Sequence, residues 1–511
     1  MRSSTGRLTS RWSMVSGAVF RALLGLLTVL GLIVGPWAPT AQSRWYELDD
    51  WVSYGVFRTV TSMDRDDDRI YIGTTGGVLR YDHWKEEWDT PLTTSSGLPD
   101  NRVSDVVVDP ENREVVFFTQ RGSIRFDPFL ERFRTGGDLP PIPPPEDFEY
   151  PELFPDFDLN FYRTDAGAYL TDSYLRSFPL TAHLADDWGY LWIGTSGLGT
   201  GRARLRSGRL KMLPFGLMGR NVSALAFDGD RLWIGGISPW EEEAGLTRAS
   251  RDLQNWEYFE ARFLFGMNSD DVTAIAPGST AVWVGTLYGL CRYEKEGEDW
   301  TTLTTFQGLA DDWVTDIALD GDVLWAGTSQ GLTQYFLFED SLAAAPVPLV
   351  GRQKIYDIEV GPEFTWFGTE EGVYALDRAA NRWLKFTSPD GIIERTCTAI
   401  TTYENEIWFG TTVGVTRYDR SSRQWEWHPF GEQIRAGHII CLAAGPKAVW
   451  AGTENGLWKY RRQTERWRAF TTEDGLPDNT VQAILLDGAY LWLGTPQGLT
   501  RFYWDNPLRI D

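Results

Sequence analysis

The chain repeats a pattern of short alternating segments separated by glycine-containing turns. In one copy the stretch 481–486 alternates weakly between apolar and polar positions, Asp487-Gly488 follows, and two further apolar stretches lie at 490–495 and 499–502. Alternation with a period of two is typical of β-strands, and glycine adopts the positive φ of a tight turn at little cost. Each copy therefore predicts three strands and a fourth, outer strand that carries another tryptophan.

A marker position, usually aromatic and followed two residues later by Gly-Thr, identifies the second strand of each copy. Ten copies at a spacing near 42 residues are typical of β-propeller blades with four strands each. Because both faces of a propeller blade are covered by neighbours, the marker side chains are expected to be buried between blades rather than to stack on carbohydrate. The markers are Tyr71, Val116, Trp192, Trp233, Trp283, Trp325, Trp366, Trp408, Trp450 and Trp492.

The outer strand of the last copy is missing from its expected place. An aromatic residue 17 positions after the marker identifies this strand in most copies, but the position after Trp492 is Arg509, near the end of the chain. The segment Arg44–Trp51 carries Trp45 26 residues before Tyr71, which matches the spacing in other copies. We therefore expect Arg44–Trp51 to be this outer strand, which removes an open sheet edge by closing the ring. Ten consecutive copies with one closure favour one ten-bladed ring, and two smaller propellers are the alternative.

Composition excludes several classes of protein. With 42% hydrophobic and 14% aromatic residues, the chain can bury a large core and is not generally disordered. The net charge of −23 disfavours nucleic acid as a partner. Three cysteines and four histidines exclude a disulfide scaffold and a Cys- or His-rich metal centre, so no cofactor is expected. Whether Cys397 and Cys441, on inner strands of adjacent blades, are bonded is left open.

The first 43 residues have the pattern of an export signal. A basic stretch precedes the apolar run Ala22–Val34, which ends at Gly35-Pro36, and the small residues Ala41 and Ser43 suit a cleavage site. The run is shorter than the roughly 18 residues of a membrane-spanning helix, although an uncleaved anchor is the alternative. Residues 44–511 are then expected to be a periplasmic or secreted β-propeller, not integral to the membrane, with an insertion at about 134–168.

The repeat resembles a known family. Its core is Trp-x-Gly-Thr-x-x-Gly-Leu/Val-x-Arg-Tyr/Phe, and a Gly-Leu-Pro-Asp-Asn loop stands at 97–101 and again at 475–479. These motifs resemble the two-component regulator propeller repeat of bacteria. The resemblance implies the sensing half of a hybrid kinase, an exported stand-alone protein or a component of secretion machinery. It implies a binding scaffold but no particular ligand, and the absence of a histidine-kinase motif argues against direct phosphotransfer.

Candidate binding residues lie where the copies differ. In propellers the loops from an outer strand to the next inner strand surround one mouth of the central channel, and here these loops end on chemically diverse residues. Diversity on a uniform scaffold is where specificity can reside, although Asp and Asn also occur there as turn formers. The candidate ligand-binding residues are Arg102, Asn221, Asp271, Trp313, Lys354, His438 and Asn479.

The segment Leu139–Phe161 departs most strongly from the repeat. It combines seven prolines with four aromatic residues before Phe161, and acidic residues fill the gaps. Proline favours an extended conformation and aromatic side chains supply contact area, which suits docking to a protein partner. A segment folded back over a neighbouring blade fits the same composition, and both interpretations remain open from sequence.

The sequence favours a non-enzymatic extracytoplasmic scaffold that binds or senses an unknown small ligand or an envelope protein. The alternative is a propeller-type lyase or glycoside-processing enzyme, which needs an acid–base pair or a histidine and a metal near the channel mouth. A Gly-x-Ser-x-Gly match at 327–331 is not a nucleophile elbow, because Ser329 occupies a turn position of the repeat. No catalytic or metal-binding residue is predicted.

Overall fold

In a computed structural model, residues 46–509 are described except 138, 145–147, 157–158, 166, 239–243, 344–346, 388–389, 393 and 430–437. The predicted export signal lies outside the described residues. The first strands are β1 (Trp51–Tyr54), β2 (Val60–Arg65), β3 (Arg69–Thr74), β4 (Gly77–Asp82), β5 (Glu87–Trp88), β6 (Val103–Asp109), β7 (Glu114–Thr119), β8 (Gly122–Asp127), β9 (Arg132–Arg134), β10 (Phe154–Pro155), β11 (Leu159–Thr164), β12 (Gly167–Asp172), β13 (Ser177–Ala185), β14 (Tyr190–Thr195), β15 (Thr200–Arg204) and β16 (Arg209–Leu213).

The repeats continue regularly through the rest of the chain, with short 3₁₀ turns at Leu48–Asp50, Thr94–Ser96 and Ala261–Phe263. The strands are β17 (Ala224–Asp228), β18 (Arg231–Gly235), β19 (Leu246–Ser250), β20 (Trp256–Phe259), β21 (Val272–Pro277), β22 (Ala281–Thr286), β23 (Gly289–Glu294), β24 (Trp300–Leu303), β25 (Val314–Asp320), β26 (Val323–Thr328), β27 (Gly331–Phe336), β28 (Ser341–Leu342), β29 (Ile355–Val360), β30 (Phe364–Thr369), β31 (Gly372–Asp377), β32 (Arg382–Phe386), β33 (Cys397–Tyr403), β34 (Glu406–Thr411), β35 (Gly414–Asp419), β36 (Gln424–Pro429), β37 (Ile439–Ala444), β38 (Ala448–Thr453), β39 (Gly456–Arg461), β40 (Arg466–Phe470), β41 (Ala483–Asp487), β42 (Tyr490–Thr495) and β43 (Gly498–Phe502).

Seven four-stranded antiparallel sheets form a closed propeller ring. Ring blades 1 to 6 are β17–β20, β21–β24, β25–β28, β29–β32, β33–β36 and β37–β40, and ring blade 7 is β41–β43 with β1. The inner strands contact one another in the order β17, β21, β25, β29, β33, β37 and β41, and β41 contacts β17 again. The ring closes where Val222 N donates to Thr495 O at 3.0 Å. The predicted all-β propeller class is confirmed.

The expected ring of ten blades is wrong, because the other three blades form a separate row. Arc blade 1 contains β13–β16, arc blade 2 contains β2–β5 and arc blade 3 contains β6–β9. β13 contacts β2, and β2 contacts β6, while β41 returns to β17 instead of continuing to β2. The repeat pattern describes contacts within a blade and with its neighbour, so it does not record which blade follows ring blade 7. We call this row of three blades the arc.

The closing strand is β1, which pairs antiparallel with β43 from Trp51 opposite Phe502 to Tyr54 opposite Leu499. Trp51 is 1% exposed and stacks on Phe502 at 3.6 Å between ring centroids. Closure by the N-terminal segment is therefore confirmed, but the predicted strand Arg44–Trp51 is out of register, and Trp45 lies outside the described residues. The spacing rule failed because the chain crosses from ring to arc immediately after Tyr54, without the usual long loop.

Marker side chains hold successive blades together. Trp283 packs edge-on against Tyr335 of the next blade at 4.7 Å, and Trp492 reaches Phe227 across the closure at 6.0 Å. The same rule orders the arc, where Tyr71 of arc blade 2 faces Phe117 of arc blade 3 at 6.5 Å. The markers are buried, as the sequence predicted. In each blade that is followed by another, the marker contacts an aromatic side chain of that following blade.

Arc blade 3 ends the row, and its outward face is covered by ion pairs. Its marker position is Val116 rather than an aromatic residue, which fits a blade whose marker has no following blade to contact. Beside Val116 in the ladder, Arg125 is buried and pairs with Asp109 at 3.3 Å and with Glu114 at 3.1 Å. A charged network of this kind disfavours addition of another sheet.

The described part of the Pro-rich insertion folds back over the other end of the arc. Phe148 stacks on His183 of β13 at 3.9 Å, and Leu153 is 3% exposed within the core of arc blade 1. The short strand β10 adds parallel to β16, and the hairpin β11–β12 extends the same sheet beyond β13. These contacts agree with the fold-back interpretation, although Leu139, Ile142 and Phe154 remain about half exposed.

The arc shares a hydrophobic core with ring blade 1. Trp88 N donates to Gln254 Oε1 at 2.8 Å, and Gln254 Nε2 donates to Trp88 O at 3.0 Å. Tyr54, Phe215 and Trp256 pack around this pair of bonds. Arc and ring therefore meet through a packed interface. Among the described residues no helix is long and apolar enough to cross a membrane.

Candidate functional site

The inner strands of the seven ring blades surround a central channel with a volume of about 540 Å³. Successive inner strands are connected by a side-chain hydroxyl at one repeated position, which donates a hydrogen bond to a backbone carbonyl of the next inner strand. Thr315 Oγ1 donates to Ile355 O at 2.6 Å, and Thr398 Oγ1 donates to Ile439 O at 2.7 Å. Departures from Ser or Thr at this position therefore mark places where the wall has another role. The equivalent residues of ring blades 1 to 7 are Ser223, Thr273, Thr315, Tyr356, Thr398, Ile440 and Gln482.

Two further wall positions are normally small and apolar. The residue paired with the glycine that follows the marker is Ala in ring blades 1, 2, 5 and 7. The residue paired with the marker itself is Ala in ring blades 1, 2, 3 and 6. Ring blades 3 and 4 replace the first with Asp316 and Asp357, and ring blade 4 replaces the second with Glu359. The wall's three carboxyl groups at these positions thus lie on two adjacent blades, on one side of the channel.

The carboxyl groups connect ring blades 3, 4 and 5. Asp316 Oδ2 accepts from Ile358 N at 2.6 Å, and Asp357 accepts from Ile400 N. Glu359 Oε1 accepts from Thr402 N at 2.7 Å and from Thr402 Oγ1 at 2.8 Å. Each carboxyl therefore supplies an acceptor to the backbone of the following inner strand. Sequence reasoning missed all three, although alignment of the repeats shows acidic residues where other blades have alanine.

Burial raises the pKa of all three carboxyl groups. It raises the pKa of Asp316 well above its ordinary value and that of Asp357 to about 6, and the two side chains are hydrogen-bonded to each other. Burial, with the nearby charge of Asp357, raises the pKa of Glu359 to about 7. Burial also raises the pKa of the Cys397 and Cys441 thiols, which are not bonded to each other.

We expect the ring to lose stability as pH rises from about 4, the ordinary pKa of a carboxyl group, to about 7, the raised pKa of Glu359. An acid whose pKa is raised on folding contributes stability below its unfolded pKa, and this contribution is lost as pH passes through the folded pKa. For Asp357 and Glu359 the loss is at most about 3 kcal/mol each, since one pKa unit corresponds to about 1.4 kcal/mol. Urea unfolding at several pH values measures it. Glu359→Gln should flatten the profile, whereas Glu473→Gln, at an exposed loop carboxylate, should not; equal slopes in all three proteins would contradict the prediction.

At the mouth above these carboxyls, Trp313, Lys354 and Tyr356 form a cluster that we call the mouth cluster. Lys354 Nζ lies 5.2 Å from the ring centroid of Trp313 and 4.7 Å from that of Tyr356. Burial lowers the pKa of Lys354. The Trp313 side chain is nonetheless 44% exposed, which is unusual for so large an apolar group. The cluster offers an aromatic face and a partly desolvated cation at the channel entrance.

The other candidate residues lie elsewhere or serve their own loops. Asn221 Nδ2 donates to Ile237 O at 2.5 Å, and Asp271 Oδ1 accepts from Ser238 N at 2.9 Å. Asn479 Oδ1 accepts from Thr472 N at 2.9 Å. His438 is exposed immediately before β37, and Arg102 belongs to the arc. Of the predicted residues, the structure brings Trp313 and Lys354 together at the channel mouth.

The described residues contain no group of three or more His, Cys, Asp or Glu side chains that could hold a metal ion. In the acidic turn between β2 and β3, Asp66 Oδ1 accepts hydrogen bonds from Asp68 N and Arg69 N at 2.8 and 2.7 Å. What the channel offers chemically is a set of hydrogen-bonding and charged groups: a cation between aromatic rings at the mouth, and protonatable carboxyls deeper in the wall.

No protein-family model and no curated protein matches the sequence, but solved structures resemble the fold. The extracellular domain of BT4673 from B. thetaiotaomicron is 16% identical with a TM-score of 0.47, over 87% of this chain and 70% of its own. PorZ, a surface component of the type-IX secretion system of Porphyromonas gingivalis, is 15% identical with a TM-score of 0.48, over 87% and 68%. Virginiamycin B lyase from Staphylococcus aureus is 14% identical with a TM-score of 0.44, over 55% and 94%. The closed ring of seven four-stranded blades, independently of these likenesses, makes this chain a β-propeller protein.

Proposed function

We propose that the chain is a non-enzymatic, extracytoplasmic binding module whose ring takes a small polar ligand at the mouth cluster. The observation that supports this proposal is that the charged and aromatic side chains lining the channel are clustered on two blades. Trp313, Lys354, Tyr356 and the three wall carboxyls all belong to ring blades 3 and 4, while the same wall positions elsewhere are mostly small or hydroxyl-bearing. Packing alone would favour the same small residues in every blade, so a one-sided change of this kind calls for a role beyond packing.

Each group of the site has a distinct capacity. Trp313 offers an exposed indole face for stacking, and Lys354 offers an ammonium group whose solvation is already reduced by its position between two rings. Asp357 and Glu359 present protonatable oxygens further into the channel. The volume of about 540 Å³ falls within the range of small-molecule sites. A ligand with a planar or apolar face and several hydrogen-bonding groups fits this set.

The extracytoplasmic location rests on the basic and apolar pattern of residues 1–43, which is typical of export signals. The neighbour from B. thetaiotaomicron is an extracellular domain, and PorZ is a bacterial surface component. A sensing role of the kind implied by the two-component regulator repeat would place ligand binding outside the cytoplasm as well. The proposal of ligand binding at the mouth cluster does not depend on where the protein is located.

The enzymatic alternative finds less support in the channel. Glycoside hydrolysis uses two carboxyls about 5–5.5 Å or about 6.5–9.5 Å apart, with room for substrate or water between them. Asp316 and Asp357 are instead hydrogen-bonded to each other, and each also accepts a backbone N–H of the following inner strand. His438 lies at the predicted mouth but outside the mouth cluster. We therefore retain binding as the proposed function.

Substitution of Trp313 by alanine is expected to weaken ligand binding by about tenfold or more, equivalent to about 1.4 kcal/mol. The loss arises because the substitution removes the exposed indole face on which a ligand would stack. The measurement is isothermal titration calorimetry of the mature protein against a defined panel of amino acids, nucleotides and mono- to tetrasaccharides. Lys354→Met, which keeps the length of the side chain and removes its charge, should reduce binding of any anionic member of the panel.

The matched control is Trp427→Ala, which removes an indole that is 57% exposed on the outer strand of ring blade 5. It should bind the panel as the unmodified protein does. Equal losses in Trp313→Ala and Trp427→Ala, or undiminished binding in Trp313→Ala, would contradict a ligand site at the mouth cluster. Turnover of a panel compound that is lost in Asp357→Asn would favour the enzymatic alternative.

A further inference from the structure

A second, larger cavity lies between the arc and the ring, away from the channel. It has a volume of about 940 Å³, and the connecting segment that follows β1 contributes Gly55, Val56 and Thr59 to its lining. Residues from both Gly-Leu-Pro-Asp-Asn loops line it, the 97–101 loop of the arc and the 475–479 loop of the ring. Two sequence-identical loops from distant parts of the chain thus meet at one cavity, which we call the junction cleft.

The walls of the junction cleft are fixed by the same hydrogen bonds in both loops. Asn101 Oδ1 accepts from Thr94 N at 2.8 Å, as Asn479 Oδ1 accepts from Thr472 N. Asp100 Oδ1 accepts from Arg102 N at 2.8 Å, and Asp478 Oδ1 accepts from Thr480 N at 2.7 Å. Each aspartate therefore directs one oxygen at the backbone of its own loop. A cleft whose loops are held in this way is preorganised, which reduces the entropy cost of binding.

Charge in the junction cleft is opposite in sign to that of the whole chain. Its lining contains three guanidinium groups, of Arg102, Arg121 and Arg220, and two carboxylates, of Asp100 and Asp478. One carboxylate is engaged further, because Arg121 Nε lies 3.2 Å from Asp100 Oδ2. The net charge of the chain is −23, so a local excess of guanidinium is a departure from its overall composition. Exposed Arg102 is placed to meet an anion entering the cleft.

Polar groups complete the lining. The same lining contains hydroxyl groups, one amide and a short apolar stretch. These residues are Thr59, Thr75, Thr94, Thr472, Gln497 and Leu476-Pro477. Arginine presents several N–H groups in a planar fork that matches two oxygens of a carboxylate or phosphate. The volume lies near the upper end of the range of small-molecule sites. Together these features fit a compact anion with more than one charged group, surrounded by hydrogen-bond donors.

We propose that the junction cleft binds a small multivalent anion carrying carboxylate or phosphate groups, independently of the mouth cluster. The proposal goes beyond the proposed function, because it assigns a second site at which arc and ring both contact the ligand. A ligand held there would connect the two parts through guanidinium groups of the arc and loop residues of the ring. The mouth cluster and the junction cleft share no lining residue.

Isothermal titration calorimetry with citrate and with pyrophosphate tests the proposal and separates the two anion chemistries. We expect at least one probe to bind at concentrations up to about 1 mM, more weakly as salt is raised. Arg102→Ala should weaken binding about tenfold or more. Asp478→Asn keeps an oxygen for Thr480 N and removes a negative charge, so it should strengthen binding.

Arg132→Ala is the matched control, because Arg132 is an exposed arginine on the outer strand of the same arc blade as Arg102. It should leave the affinity unchanged, and so should Trp313→Ala, which separates this site from the mouth cluster. Absence of binding by both probes overturns the proposal. Binding that survives Arg102→Ala, or that falls equally in Arg132→Ala, overturns it as well. Loss of binding in Trp313→Ala would place the anion in the ring channel instead.

Discussion

Deletion of residues 44–52 is expected to lower the melting temperature of the ring below that of the chain 44–511. The deletion removes Trp51 and Val52, half of the strand β1, so ring blade 7 loses half of its outer strand and β43 is left unpaired opposite them. Trp51 is 1% exposed and is stacked on Phe502 at 3.6 Å between ring centroids. Loss of a buried tryptophan alone costs about 3–5 kcal/mol, a large part of the about 5–15 kcal/mol that stabilises a typical domain.

Differential scanning calorimetry and limited proteolysis measure the effect. Trp51→Ala is a graded version of the deletion and should lower the melting temperature without altering the chain length. Leu48→Ala is the control, because Leu48 is exposed in the same N-terminal segment. A deletion variant that melts with the chain 44–511, or a Trp51→Ala variant that behaves as Leu48→Ala does, would show that β1 does not hold the ring closed.

The sequence predicted the blade better than it predicted the assembly of blades. Strand positions, buried markers and closure by the N-terminal segment follow from local rules: alternation, turn glycines and the need to cover a sheet edge. Gly475 illustrates how local these rules are, since its φ is +126° and a Cβ there would lie 2.7 Å from the Trp51 ring. The order of blades depends on long-range contacts, such as Val222 with Thr495, which leave no mark on the repeat.

One sequence feature did mark the end of the arc, but its meaning required the structure. Val116 stands where other copies have an aromatic marker, and arc blade 3 is the blade whose marker has no successor to contact. A position that loses its packing partner loses its preference for a large aromatic side chain. Weak copies in a repeat can therefore identify the terminal blades of an open row, as capping units do in other repeat proteins.

The candidate site was predicted in part. Loop residues before inner strands pointed to Trp313 and Lys354, which the structure places together at the channel mouth. Arg102 was assigned to the same mouth only because ten blades were expected to form one ring, and it lies in the junction cleft instead. The loop positions did not indicate Asp316, Asp357 and Glu359, because these residues lie within inner strands. Their signal lay within the strands, as acidic residues at positions that other blades fill mainly with alanine.

Substitution of Trp408 by alanine is expected to lower the free energy of unfolding by about 3–5 kcal/mol, the usual cost of truncating a fully buried aromatic residue. Trp408 is 0% exposed in ring blade 5. Its ring lies 5.3 Å from Tyr460 of the next blade and 5.2 Å from His428, and its Nε1 donates to Glu406 Oε2 at 3.1 Å. Alanine would leave a cavity between blades 5 and 6 and remove one of the hydrogen bonds to Glu406 Oε2.

Urea unfolding, followed by far-UV circular dichroism so that the loss of one indole does not dominate the signal, measures this change. Trp427→Ala is the control within the same blade, since its side chain is 57% exposed and its removal should cost less than about 1 kcal/mol. Because a closed ring shares each interface between two blades, the Trp408 variant should unfold in one transition at lower urea rather than lose blade 5 alone. A cost below about 1 kcal/mol for Trp408→Ala would contradict the packing of markers between blades.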